Sequence, residues 1–334
     1  MSVSDRSDAQ VVVPPGAPAS ARRRRGAFAL KLIVSAALLS LLFSRVSIRE
    51  IAGLYAHADL GLVLLAHVLF AASIAGSAFQ WGLFLRAQGI TLPFRRLFGF
   101  YLVGLFFNNF LPANLGGDVV KVVDVARSGG SRGGAVAATL MDRGMGLLVL
   151  LVSGALAACA MGEALPFPEF RRPLYAGTIA LAVVFAFLLS RRLLSRAAAL
   201  AARAPAGWPA RIAARLLAHA GGFQANRGVF LRALPVSIAI QALRIAVHYV
   251  AALALGVHVA PLVFLLVVPA IAIAVSLPIS VGGFGVREGL GVVLFGRVGV
   301  GAPEALAFEL LAHLIAVAVS AVGGVLFALR RRGV

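Results

Sequence analysis

Long runs of apolar residues recur along the 334-residue chain and are separated by short polar or basic segments. A helix that crosses the hydrocarbon core of a bilayer needs about 20 mainly apolar residues. Six runs satisfy this requirement, at about residues 27–45, 60–85, 133–160, 173–190, 234–256 and 304–329. The pattern therefore predicts an all-α polytopic membrane protein with six full spans.

Two further apolar stretches, at about residues 98–117 and 259–299, are interrupted by proline and glycine. Proline breaks a helix and leaves backbone groups without partners. At membrane depth such groups are tolerated only where they line a cavity or are buried in protein. We expect each stretch to form a re-entrant segment or a pair of half-helices or short spans, and the pattern does not choose between these forms.

Charged residues are few and mostly basic. The chain has 31 Lys and Arg against 12 Asp and Glu, a net charge of +19, while 61% of its residues are hydrophobic and 13% are charged. A basic balance of this size indicates nucleic-acid binding in a soluble chain. The apolar background excludes a soluble nucleic-acid-binding domain, so we expect no nucleic-acid partner.

The distribution of bases predicts the topology. The basic segments are residues 1–26, 86–97, 191–232 and 330–332. The segments 45–59 and 161–172 are neutral. Because basic loops face the cytoplasm, the sequence predicts a multi-pass protein of the cytoplasmic (inner) membrane with both termini inside.

Two polar segments lie outside the predicted spans. Residues 1–26 lack hydrophobic periodicity, which is typical of a disordered cytoplasmic tail rather than of a cleaved signal peptide. Residues 191–232 interleave Arg with Leu. This pattern predicts either basic amphipathic helices on the cytoplasmic leaflet or a linker whose basic residues only follow the positive-inside rule.

The two broken stretches resemble each other. Residues 111–121 read LPANLGGDVVK and residues 277–287 read LPISVGGFGVR, at an offset of 166 positions. The flanking spans recur at nearly the same offset, which predicts repeat units of about 60–160 and 226–326, unless Leu-Pro and Gly-Gly recur by chance. The first unit starts outside and the second inside, so the repeat is inverted. Paired interrupted segments in inverted halves are typical of a transporter's midplane site.

Charged side chains at membrane depth are costly and are therefore functional candidates. Asp118 and Lys121 follow the first Gly-Gly turn and share one helix face. The N-terminus of that half-helix, together with Lys121, is suited to a lipid phosphate. The alternative is an Asp118–Lys121 or Lys121–Asp124 pair that only neutralises a buried turn.

Two further bases are candidate phosphate ligands. Arg287 follows the second Gly-Gly turn, and its alternative role is a salt bridge across the repeat interface. Arg244 lies one turn before His248 in the predicted 234–256 span. We expect the polar and charged partners in the same cavity to be Asn114, Asp118, Asp142, Arg143, Glu288 and Glu309. The predicted backbone turns lie at Pro112, Gly116, Gly117, Pro278, Gly282, Gly283 and Gly285.

Three stretches resemble the lysylphosphatidylglycerol synthase transmembrane-domain family, whose members are flippase-like, UPF0104-like integral membrane proteins. The stretches are NNFLPANLGGDVVKVVDVAR (108–127), TLMDRGMGLLVLL (139–151) and LPISVGGFGVREGL (277–290). The third matches the family's Gly-Gly-x-Gly-x-Arg-Glu turn. The first two keep the family's charges with Asp118 and Asp142 in place of Glu and Lys121 in place of Arg. The resemblance covers about residues 27–329 and implies a flippase-like transmembrane domain.

The resemblance also bears on enzymatic activity. In the full-length synthases of the family, a separate soluble domain transfers the aminoacyl group. This chain ends directly after the last predicted span and has no room for that domain. We therefore expect no lysyltransferase activity. Glu309 and His313 lie one turn apart but are too few to hold a metal ion, and we predict no catalytic residue, metal site or cofactor.

The sequence thus favours a lipid translocator that moves an anionic or polyprenyl-type headgroup through a polar cavity between inverted halves. Its expected partners are membrane lipids and a separate lipid synthase; the sequence does not define an oligomeric state. One alternative is an intramembrane transferase that uses Asp118, Asp142 and Glu288 for acid–base chemistry on a lipid. Another is a non-transporting accessory subunit of an envelope-lipid pathway, for example a hopanoid or glycolipid pathway.

Overall fold

The computed structural model describes residues 33–330, except for 34, 39, 43, 45, 111–115, 277–279 and most of 191–220. Ten α-helices have both ends within this part of the chain, together with a short 3-10 helix at Gly162–Ala164. They are α1 (Ile48–Ala56), α2 (Leu60–Ala87), α3 (Phe94–Phe110), α4 (Gly116–Arg127), α5 (Arg132–Met161), α6 (Pro168–Leu189), α7 (Gly228–Ala254), α8 (Pro261–Ser276), α9 (Val286–Gly296) and α10 (Ala302–Arg330).

Five of these helices are long and apolar enough to cross a bilayer: α2, α5, α6, α7 and α10. They confirm five of the six predicted spans and the assignment of the chain as a multi-pass membrane protein. The sixth predicted span, 27–45, lies largely outside the described residues. The tail 1–26 also lies outside them, as does most of the basic segment 191–232.

The first broken stretch forms two helices, α3 and α4, that pack against each other. Their backbones approach so closely at Gly104 and Gly117 that a Cβ on Gly117 would overlap the Gly104 carbonyl oxygen. Only glycine permits such an approach. The intervening turn, with Pro112 and Asn114, lies outside the described residues.

The second broken stretch likewise forms two packed helices, α8 and α9. The turn before α9 uses three glycines with positive φ: Gly282 at 59°, Gly283 at 87° and Gly285 at 83°. Side chains other than glycine rarely adopt this conformation. The predicted second Gly-Gly turn is therefore formed, and its backbone conformation favours glycine at these positions. Pro278 lies outside the described residues.

Helices α2 to α5 recur in order and similar length as α7 to α10. Each helix of the second set starts 167 to 170 residues after its counterpart. Across the two sets, α2 packs on α7, α3 packs on α10, and α5 packs on α8. In this way α3 packs on α10, and its counterpart α8 packs on α5, which is the counterpart of α10. Such reciprocal contacts agree with a two-fold relation between the two sets. That the halves are inverted across the membrane stays a prediction.

Two clusters of buried apolar side chains fix the helices around the site. One includes Phe264, Phe295 and Phe308, whose rings lie 4.8 to 6.0 Å apart between centroids on α8, α9 and α10. The other includes Trp81 and Phe84 of α2. Because closely packed aromatic rings bury large areas, the first cluster holds the short helix α9 firmly against α10.

Candidate functional site

A cavity of about 500 Å³ opens between helices α2–α5 and helices α7–α10, and all eight contribute to its wall. Most of the wall is apolar. Its charged side chains are Asp118, Lys121, Asp142, Arg143, Arg244 and Arg287. Four bases face two acids, so the wall carries a formal charge of +2.

The three predicted phosphate ligands, Lys121, Arg244 and Arg287, therefore reach one cavity although they lie on α4, α7 and α9. The predicted partners Asp118, Asp142 and Arg143 are in the same wall, as is the turn residue Gly282. Glu288 and Glu309 lie behind the wall and are completely buried. Asn114 lies outside the described residues.

On the α4 side, one acid binds two bases. Asp118 Oδ1 lies 3.0 Å from Lys121 Nζ, and Asp118 Oδ2 accepts a hydrogen bond from Arg143 Nε. The Lys121 ammonium also lies 4.4 Å from the ring centroid of Tyr101 and 5.2 Å from that of Trp81, within the range of cation–π attraction. The predicted Asp118–Lys121 pair is therefore formed.

The alternative partner of Lys121 is engaged elsewhere. Asp124 Oδ2 accepts a hydrogen bond of 3.3 Å from Arg330 at the end of α10. The predicted Lys121–Asp124 pair is therefore not formed. Instead, Asp124 fastens the C-terminal end of α4 to the second half of the molecule.

Asp142 and Arg143 point to different partners, as expected for adjacent helical residues. Asp142 Oδ1 accepts a hydrogen bond of 2.8 Å from Gln80 Nε2 of α2. Arg143 turns instead toward Asp118 of α4. Together, the two residues tie α5 to both of its neighbours in the first half.

Arg287 and Arg244 differ from the bases of the first half. Within the described residues, neither forms a salt bridge. Arg244 donates a hydrogen bond of 3.0 Å to the hydroxyl of Ser77. The Nε of Arg287 is buried and has no hydrogen-bond partner in this part of the chain. The predicted alternative for Arg287, a salt bridge across the repeat interface, is not formed there.

Behind this wall, each glutamate pairs with a histidine. Glu288 Oε1 lies 2.7 Å from His313 Nδ1, while its Oε2 accepts a hydrogen bond of 2.7 Å from the Gly285 N–H that begins α9. Glu309 Oε1 lies 2.9 Å from His248 Nδ1. Glu309 and His313 thus have separate partners although they lie one turn apart on α10.

Asparagine side chains form hydrogen bonds where the helices cross. Asn108 Oδ1 accepts a hydrogen bond of 2.8 Å from the Gly117 N–H. Asn109 Nδ2 donates a hydrogen bond of 2.9 Å to the Ser320 hydroxyl of the other half. A Cβ on Gly282 would lie 2.6 Å from the Asn109 carbonyl oxygen, so the two broken stretches touch at this point.

Several residues of the site were not predicted from the sequence: Gln80, Trp81, Tyr101, Ser77 and the pairing of His313. Gln80, Trp81 and Ser77 stand within the apolar run of α2, where single polar residues give no clear signal. The one-turn spacing of Glu309 and His313 was visible, but their partners lie on α7 and α9 and are brought to them only by packing.

Comparison with known proteins gives two similarities. The family described as the lysylphosphatidylglycerol synthase TM region matches residues 28–324. A UPF0104 membrane protein from Pyrococcus horikoshii is 29% identical over 126 residues, which make up 37% of this chain and 38% of that protein. The match therefore spans well under half the length of this relative.

Proposed function

The chain belongs to the family of the lysylphosphatidylglycerol synthase TM region, and from this membership and the charge of its cavity we propose that it moves a lipid with an anionic headgroup across the cytoplasmic membrane. The headgroup enters the cavity between the two inverted halves while the acyl chains stay in the bilayer. The protein moves the lipid from one leaflet to the other and does not change its covalent structure, so lysyl transfer is not part of the proposed function.

One observation carries this proposal: the cavity wall holds four bases and two acids. The surface that faces the cavity therefore carries more bases than acids, while Glu288 and Glu309 lie behind it. A bound phosphate gives these bases a partner, and the guanidinium groups of Arg244 and Arg287 are suited to bidentate phosphate binding. Because both lack a carboxylate partner among the described residues, binding does not require an existing salt bridge to break.

The size and composition of the cavity also fit a headgroup. Its volume of about 500 Å³ lies within the roughly 300–1,000 Å³ that is typical of small-ligand sites. The mainly apolar wall suits the start of an acyl chain, and the bases suit the phosphate. We further propose that a separate synthase supplies the lipid, since no synthetic chemistry is assigned to this chain.

The proposal is tested with the purified full-length protein in phosphatidylcholine vesicles. Each preparation carries a trace of one acyl-labelled lipid: phosphatidylglycerol, a polyprenyl phosphate or lysylphosphatidylglycerol. Chemical quenching of the outer leaflet then reports movement between leaflets. We expect faster movement of an anionic lipid, and loss of this acceleration when Arg244→Gln and Arg287→Gln are combined.

Arg297→Gln is the matched control, because Arg297 binds Glu169 at the protein surface and does not line the cavity. It should move lipid at the unmodified rate. If neither anionic lipid is accelerated, or if only the cationic lysylphosphatidylglycerol moves, the proposal is wrong. A new chemical product from a labelled lipid would instead favour the transferase alternative.

A further inference from the structure

Two glutamates and two histidines form a buried cluster that the proposed headgroup site does not use. Glu288 and Glu309 are completely buried, and His313 is 1% exposed. His248 is the member that lines the cavity. We call these four residues the Glu–His cluster.

Hydrogen bonds join the Glu–His cluster into two pairs, and α10 joins the pairs. His248 bonds Glu309, and one turn further along α10, His313 bonds Glu288. Within the described residues, Glu309 Oε2 and His313 Nε2 are buried and have no hydrogen-bond partner. Each pair thus keeps one atom that can form a further hydrogen bond.

Charge balance limits how many protons the cluster holds. With both carboxylates ionised and both imidazoles neutral, the two glutamates balance the formal charge of +2 on the cavity wall, so the cluster and the wall together are neutral. A buried net charge is unfavourable because it loses its hydration. A negative charge that enters the cavity is therefore balanced by one proton on an imidazole of the cluster. The cluster is therefore a site for an exchangeable proton.

Arg287 connects the Glu–His cluster to the headgroup site. It lines the cavity and directly precedes Glu288, the glutamate that bonds His313. A phosphate bound at Arg287 adds one negative charge to this balanced group. One proton restores neutrality.

From this geometry we infer that the Glu–His cluster is a proton-binding site that takes up one proton when an anionic headgroup binds at Arg287, so that the two are transported together. This inference rests on the proposed function. The proton comes from the aqueous buffer, which keeps the conjugate base outside the protein, and adds to the unprotonated nitrogen of the His248 imidazole. The resulting imidazolium donates to Glu309 Oε1. One positive charge therefore enters with each negative charge that binds.

Other charged groups packed against the cluster do not perform this role. Helices α1, α2, α3, α7 and α9 contact α10. From α1, the Tyr55 hydroxyl donates a hydrogen bond of 2.9 Å to the Ala307 carbonyl, and burial raises the pKa of Tyr55 to about 12, so it stays neutral. From α7, Arg244 bonds the Ser77 hydroxyl on the opposite helix.

The titratable groups of α2 and α3 have their own partners. In α2, His67 Nδ1 lies 2.9 Å from the Val63 carbonyl of the same helix. In α3, the ring of Tyr101 lies beside the Lys121 ammonium. On α5, which packs against α7, Asp142 bonds Gln80 and Arg143 bonds Asp118. Arg287 of α9 is therefore the cation whose neutralisation changes the charge balance of the cluster.

The test measures proton uptake directly. Short-chain phosphatidylglycerol, whose phosphodiester does not titrate near neutral pH, is added to the purified full-length protein in detergent. Calorimetric titrations in two buffers with different ionisation enthalpies give the number of protons taken up per lipid bound. We expect uptake of about one proton, since binding and protonation are reciprocally linked.

Glu309→Gln should bind the lipid without taking up a proton, because the imidazolium loses its counter-charge. Glu163→Gln, in the exposed 3-10 helix Gly162–Ala164, should keep the uptake. His248→Gln at the cavity wall is a second variant with the same expectation as Glu309→Gln, and gel filtration verifies that each variant is folded.

The outcomes separate this inference from the proposed function. Binding without proton uptake by the unmodified protein, or uptake that persists in both Glu309→Gln and His248→Gln, overturns the inference and leaves the translocator proposal intact. Failure of the lipid to bind, together with no lipid movement in vesicles, overturns both.

Discussion

The sequences at the starts of α4 and α9 share a Gly-Gly pattern but leave their bases in different electrostatic situations. At the repeat offset, Asp118 and Lys121 of the first half correspond to Phe284 and Arg287 of the second. Lys121 has a carboxylate at 3.0 Å. The corresponding position beside Arg287 is occupied by Phe284, whose ring stacks on His313 with 3.9 Å between centroids.

This difference gives the two segments different electrostatic roles. In the first half, the acid compensates the base, and the pair stabilises the packing of α4 against α5. In the second half, the acids have moved behind the wall to pair with histidines, and Arg287 remains available to a ligand. The first of these segments therefore supplies a structural salt bridge, and we propose that the second supplies a binding group.

The largest expected effect concerns stability in the first half. Asp118→Asn removes the charge that compensates Lys121, which is only 4% exposed. Leaving a buried charge without its partner costs about 3–5 kcal/mol. Thermal unfolding of the detergent-solubilised protein should show a large drop in midpoint. Glu169→Gln, which breaks a surface pair with Arg297, should leave the midpoint unchanged; equal drops for both variants would contradict the comparison.

A smaller loss of stability is expected at the helix crossing of the first half. Gly117→Ala places a Cβ against the Gly104 carbonyl, and overpacking of this kind typically costs about 1–3 kcal/mol. Gly289→Ala in α9 is the control, because the nearest atom to its added Cβ is Leu42 Cδ1 at 3.8 Å. The same unfolding measurement checks both, and a tolerated Gly117→Ala would show that the crossing is not tightly constrained.

A third variant makes the second half resemble the first. Phe284→Asp gives Arg287 a neighbouring carboxylate, so an anionic lipid must compete with an internal salt bridge. We expect the affinity for short-chain phosphatidylglycerol to fall roughly tenfold, equivalent to about 1.4 kcal/mol. Phe284→Leu controls for loss of the aromatic contact with His313 and should bind nearly normally. Calorimetry measures both, and unchanged affinity of Phe284→Asp would remove the distinction between the halves.

The smallest effect is expected from exchanging one base for another. Arg287→Lys keeps the charge but loses the planar group that can bind two phosphate oxygens. The affinity for phosphatidylglycerol should fall by a factor on the order of two to five, with no change in thermal midpoint. A loss as large as that of Arg287→Gln would mean that shape, rather than charge, dominates at this position.

The sequence predicted a considerable part of this site. The Gly-Gly turns led to Lys121 and Arg287, and the charge of Arg244 within an apolar span marked it as a third candidate; all three line one cavity. The sequence did not predict that Arg143 of α5 shares Asp118 with Lys121. It also missed the pairing of His313 with Glu288, because these contacts join residues of different helices.

The sequence by itself determined where apolar helices form and where they break, because the thickness of the bilayer and the limits of proline and glycine act on each segment separately. The tertiary structure decided which charges are compensated. A carboxylate neutralises a base only when packing brings the two within a few ångströms, and here that packing pairs Asp118 with Lys121 but leaves Arg287 without an acid among the described residues.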